Sequence, residues 1–109
     1  MIKTKKIIDY ILEELKERKA IDPIALDVKK LSSFTDFLII ASMDSERGVK
    51  ALYEHINEKL KKELKVLTKT DGYSSPSWII IDTGEIMIHL FHKKTREYYN
   101  LESLWSDKK

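Results

Sequence analysis

Trp78-Ile79-Ile80-Ile81-Asp82-Thr83-Gly84-Glu85-Ile86-Met87-Ile88-His89-Leu90-Phe91 is the stretch whose reading decides the fold. Both halves are apolar and β-branched, and Thr83-Gly84 between them reads as a two-residue hairpin turn. Pairing Asp82 with Glu85 then sets Ile81 against Ile86, Ile80 against Met87, Ile79 against Ile88 and Trp78 against His89. Successive side chains of a strand point to opposite faces. One face of this hairpin is therefore Ile79, Ile81, Ile86 and Ile88, wholly aliphatic, and belongs in a core. The other carries Trp78, Ile80, Asp82, Glu85, Met87 and His89, a mixed set suited to solvent or a partner.

Working toward the N-terminus, residues 45–63 form a helix with the stripe Val49, Leu52, Tyr53, Ile56 and Leu60, extending to Leu64. Asp44 or Ser45 caps it. Residues 65–69 read as a short edge strand whose lysines discourage sheet-to-sheet association. Phe37–Ala41 is too short an apolar run for a helix and reads as a buried strand. Residues 22–29 alternate as a strand, with Ile24, Leu26 and Val28 on one side. Residues 3–19 are helical, with Ile8, Ile11, Leu12 and Leu15 on one face. Toward the C-terminus, Tyr98 to Trp105 reads as a short docking helix that ties down the chain. The order predicts one α/β domain over 1–109: a two-layer sandwich with a mixed β-sheet and helices mainly on one face. Two helices cover one side of the sheet and leave the other open.

Composition narrows the function. The 109 residues carry 20 Lys and Arg against 18 Asp and Glu, a balance that argues against a general nucleic-acid coat. Cysteine is absent, which excludes disulfides and Cys-bearing zinc sites. No apolar run approaches the ~18 residues of a membrane span, and the charged N-terminus is no signal peptide, so the expectation is a soluble intracellular protein. The three glycines are isolated, so neither a P-loop nor a dinucleotide fingerprint exists.

Metal-dependent nucleotidyl transfer needs carboxylates two apart on one strand face. Asp27, Asp36 and Asp82 lack such a mate, and Asp44 and Glu46 sit where a helix begins, in a capping context. An enzyme of that class would have to use Asp36 or the Asp44/Glu46 pair with magnesium. His89 and His92 fall on opposite faces of one strand and cannot share a metal; no metal or cofactor site is expected. Ser32, Ser33, Ser74, Ser75 and Ser77 lie in turn contexts rather than a nucleophile elbow. The Lys59/Lys61/Lys62/Lys65 and Lys93/Lys94/Arg96 groups read first as solvated faces, and second as phosphate contacts.

What remains is the Trp78 side of the hairpin. Aromatics and Met are the residues that interface cores enrich, so a partner surface is favoured; the alternative is cover by the chain's own Trp105 segment. His89 serves there as a cross-strand partner for Trp78, as a polar handle at the interface, or as both. The hairpin alone offers a footprint on the order of 170 Å², whereas a specific complex needs about 800 Å² per partner. Neighbouring strands must therefore contribute. Asp82 and Glu85 put negative charge at the turn end, which favours a basic protein surface over RNA phosphate.

Three segments carry a resemblance. They are Leu26-Asp27-Val28 with Leu31-Ser32-Ser33-Phe34-Thr35-Asp36-Phe37-Leu38-Ile39-Ile40-Ala41-Ser42, the stretch 78–91, and Arg96-Glu97-Tyr98-Tyr99-Asn100-Leu101-Glu102-Ser103-Leu104-Trp105. In order and nearly throughout, the chain resembles the Iojap or ribosomal silencing factor family. It departs where Met43 stands in place of the usual glycine after the second strand. The resemblance implies a nucleotidyltransferase-like fold without catalytic carboxylates. It implies a non-enzymatic, cytoplasmic factor that binds the large ribosomal subunit through large-subunit protein fourteen and blocks joining of the small subunit when nutrients are short. It further implies a homodimer in isolation, no cofactor, no membrane and no sequence-specific nucleic acid. Trp78, Asp82, His89 and Tyr99 match family motif positions, which with Ile80, Glu85 and Met87 gives the candidate partner-binding set.

Overall fold

The computed structural model describes residues 3–33, 35–74, 76–101 and 103. The elements run α1 (Thr4–Glu17), β1 (Ile21–Asp27), β2 (Phe37–Met43), α2 (Glu46–Lys62), β3 (Lys69–Asp71), β4 (Trp78–Asp82), β5 (Ile86–His92) and α3 (Lys93–Tyr99). The strands form one mixed sheet in the order β1-β2-β5-β4-β3. Only β2 and β5 are parallel; the other pairs are antiparallel.

α1 and α2 lie on one side because each has an apolar stripe to bury. Ile8, Ile11 and Leu15 of α1 and Val49, Leu52, Ile56 and Leu60 of α2 meet Ile39, Ala41, Ile79, Ile81, Ile86, Ile88 and Leu90 of the sheet. The all-isoleucine side of the hairpin is thus the core side, as the alternation predicts. Ser45 caps α2, its side chain accepting from the Gly48 amide at 3.0 Å. His55 pins the helices together, its Nδ1 accepting from Arg18 at 2.8 Å and its Nε2 facing Glu14 at 2.7 Å.

Four expectations are corrected. The hairpin register is displaced by two: Trp78 opposes Phe91, Ile80 opposes His89 and Asp82 opposes Met87. Local bonding moves the tip to Gly84-Glu85. Asp82 accepts from the Gly84 amide (2.7 Å), Thr83 N–H donates to the Ile86 carbonyl (2.9 Å), and Gly84 takes φ +98°. A slip of two keeps every side chain on its face, so the division into an aliphatic and a mixed side survives.

The far edge strand is Lys69–Asp71, not 65–69. Residues 63–66 are spent leaving α2, with Val66 N–H returning to the Leu60 carbonyl and Lys65 at φ +57°. A polar network attaches this weak strand: Tyr53 OH meets Thr70 Oγ1 at 2.9 Å, and Thr68 Oγ1 donates to Asn57 Oδ1 at 2.7 Å.

The final helix starts at Lys93, directly after β5, with His92 Nδ1 accepting from the Lys94 amide at 3.2 Å. Leu104 and Trp105, expected to dock the tail, lie outside the described residues, as does Ser75. Nor is the second side of the sheet bare. α3 packs across β5 and β2 there, and Leu38, Ile40, His89 and Phe91 are buried.

Candidate functional site

Register and alternation bring Trp78, Ile80 and Asp82 of β4 beside Met87 and His89 of β5 on the side away from α1 and α2. Ile24 and Leu26 of β1, opposite Ile40 and Leu38 of β2, carry the same face toward the other edge. Trp78, Ile80, Asp82, Met87, Ile24 and Leu26 are each partly exposed over the buried Leu38, Ile40 and Phe91.

Trp78 anchors an aromatic cluster. Its ring lies 4.8 Å from Phe91, 6.0 Å from His89 and 4.9 Å from Tyr99, all tilted, in the range of favourable aromatic pairs. Its indole N–H donates to His89 Nδ1 at 3.0 Å. His89 is not directly opposite Trp78 but one diagonal step away, still within reach of long aromatic side chains. Burial drives the His89 pKa down to about 4, because the charged ring would lose its hydration. Tyr99 stands at the end of α3, 53% exposed, with Tyr98 at right angles to it and 81% exposed.

One expected member is turned away. The Glu85 carboxylate accepts a hydrogen bond from Thr4 Oγ1 at the start of α1, and the Glu85 carbonyl accepts from the amides of Asp36 and Phe37 and from Thr35 Oγ1. It ties the turn to α1 and β2 because, with the tip at Gly84-Glu85, it no longer continues the β5 alternation. Asp82 stays with the cluster, beside Met87.

Sequence reasoning missed Arg96, read within a solvated basic run. It is 8% exposed and donates to the carbonyls of Ile21 (2.9 Å) and Asp22 (2.8 Å) and to Ser42 Oγ (3.2 Å). These bonds fasten α3, and with it Tyr99, to the start of β1, where the register is irregular and Asp22 has φ +44°. Charge-run statistics carry no signal for this; a lone Arg at a helical i−3 position from an aromatic is the only trace. Tyr98 was visible in the sequence but placed only in the tail.

Ser32 Oγ accepts from the Thr35 amide at 3.3 Å, which is turn chemistry. Among the described residues no group of three His, Asp or Glu is arranged to hold a metal ion. Among them, too, no helix is long and apolar enough to cross a membrane.

Comparison with known proteins gives a consistent picture. The family model described as "Ribosomal silencing factor during starvation" matches residues 2–109. The chain is 36% identical over 98 residues to a ribosomal silencing factor of Chromobacterium violaceum, spanning 90% of this chain and 80% of that one. It is 31% identical over 102 residues to that of Halalkalibacterium halodurans, spanning 94% and 87%. A mouse protein named for mitochondrial assembly of the ribosomal large subunit is 32% identical, with 91% of this chain and 45% of that one matched. A crystal structure from Chromobacterium violaceum superposes with TM-score 0.91 at 35% identity, covering 99% of this chain and 90% of the other.

Proposed function

The chain belongs to the ribosomal silencing factor family, and from that premise we propose that it binds the large ribosomal subunit and blocks joining of the small one. The family is one of regulators of translation rather than enzymes. The match over residues 2–109 carries the reading, because it spans every element that builds the aromatic face.

The contact is assigned to that face. Trp78, Ile80 and Met87 supply partly exposed apolar area, and Tyr99 and Tyr98 extend it over α3. Interface energy concentrates in such aromatic anchors. Asp82 adds negative charge at one end, so the complementary surface is a basic protein; large-subunit protein fourteen is the proposed partner. Glu85, engaged by Thr4, serves at the turn's edge rather than the centre. The action is steric: a body seated on the joining face of the large subunit occupies space the small subunit needs. The family description places the action during starvation, and the cytoplasm is the proposed setting.

Co-sedimentation tests this. The protein is expected to pellet with isolated large subunits and not with joined ribosomes; equal binding to both overturns the occlusion mechanism. Trp78→Ala, shown folded by circular dichroism, is expected to lose more than ~1 kcal/mol of binding free energy. Unchanged binding by that variant would move the contact to another face.

A further inference from the structure

We propose that Trp78 sets the tautomer of His89, so that His89 offers its partner a single hydrogen-bond donor, Nε2–H, and thereby selects an acceptor oxygen on the docking protein. This rests on the docking reading above. An indole carries a donor and no acceptor, so the nitrogen it addresses must accept. That nitrogen is Nδ1, 3.0 Å from Trp78 Nε1. A neutral imidazole with an accepting Nδ1 carries its proton on Nε2.

The ring is held in that form. It is 7% exposed, and burial keeps it uncharged at neutral pH. Phe91, at 6.1 Å and nearly parallel (15°), and Trp78 lie against it and fix its plane. Among the described residues no buried side-chain N or O lacks a partner. Among them, too, the ring's one hydrogen bond is the bond from Trp78. Nε2, which has no partner among the described residues and is not a buried unpaired atom, therefore reaches the surface, on the residue whose strand neighbour is the partly exposed Ile80. Apolar neighbours make a docked surface dry, and in a dry contact an unmatched donor costs more than a matched one contributes. A partner placing an acceptor oxygen there is accepted. One placing an N–H or a cation there is rejected.

Two measurements decide it. In the free wild-type protein at pH 7, nitrogen-15 spectra of the His89 ring should show protonation at Nε2 alone. A ring protonated at Nδ1 overturns the proposal. In Trp78→Phe, which keeps a ring but removes the N–H, His89 should become a mixture of tautomers; an unchanged Nε2–H form means Trp78 does not set it. Against isolated large subunits, His89→Asn keeps an acceptor toward Trp78 but has no donor at the Nε2 position, and should bind on the order of 10-fold more weakly. His89→Gln restores a donor there and should bind within roughly 3-fold of wild type. His89→Asn binding as tightly as wild type overturns the donor role. Wild type failing to bind large subunits at all overturns the docking reading itself, and is recognised separately because the tautomer result does not depend on ribosomes.

Discussion

Burying an imidazole has a consequence that can be weighed. His89 titrates near 4 in the folded protein, whereas an exposed histidine titrates near 6.5. Above pH 6.5 both folded and unfolded chains hold it neutral, and burial has no pH-dependent cost. Between about 6.5 and 4 the unfolded chain takes up a proton that the folded one refuses, so stability falls as pH falls. The total is about 3 kcal/mol. Urea unfolding of wild type and His89→Asn checks this: wild type minus variant should shrink by about that amount between pH 7 and pH 4. A constant difference would show that His89 is not buried as described. At this scale the sequence was partly legible. Alternation alone placed Trp78 and His89 on one face, because a period of two needs no tertiary information. Arg96 was not legible, because its burial depends on carbonyls 74 and 75 residues away at the start of β1.

Among the elements, β4 depends on a glycine outside it. A Cβ on Gly72 would stand 2.3 Å from the Trp78 carbonyl oxygen, and Gly72 has φ +86°. Gly84, at φ +98°, has nothing within 4 Å of its would-be Cβ. Gly84→Ala therefore meets only the positive-φ penalty, about 1 kcal/mol. Gly72→Ala meets that and a backbone clash, and should cost about 3 kcal/mol or more. Chemical denaturation of the two variants side by side tests the ranking; equal losses would refute it. The helices and the two central strands were legible because their stripes and runs are long. The turn register was not, because Asp82 and Thr83 rearranged the tip through side-chain bonds that a dipeptide rule ignores. The far edge strand slid by four residues for a similar reason: Val66, apolar and strand-like, is consumed in the exit from α2.

For the whole molecule, one layer of two helices against a five-stranded sheet leaves, among the described residues, the other side of the sheet for a partner to use, already part-covered by α3. A homodimer formed through that side and a ribosome complex formed through it exclude each other. In sedimentation, a self-associated form built on that side is expected to be converted by large subunits to a bound monomer; a dimer persisting on the subunit places the self-contact elsewhere. The sheet plan was readable from the order of elements, whereas α3 crossing the open side was not, since the Arg96 bonds and the Tyr99 contact that direct it there reach residues distant in sequence. The parallel pairing of β2 with β5 at the centre of the sheet has a last consequence. Phe37 pairs early with Asp27 of β1 but finds its parallel neighbour only once Ile86 exists, and the cluster closes only with Tyr99, so α1 to β4 alone cannot present the surface. A chain cut before residue 99 therefore lacks the completed aromatic cluster, however well its helices and first strands form.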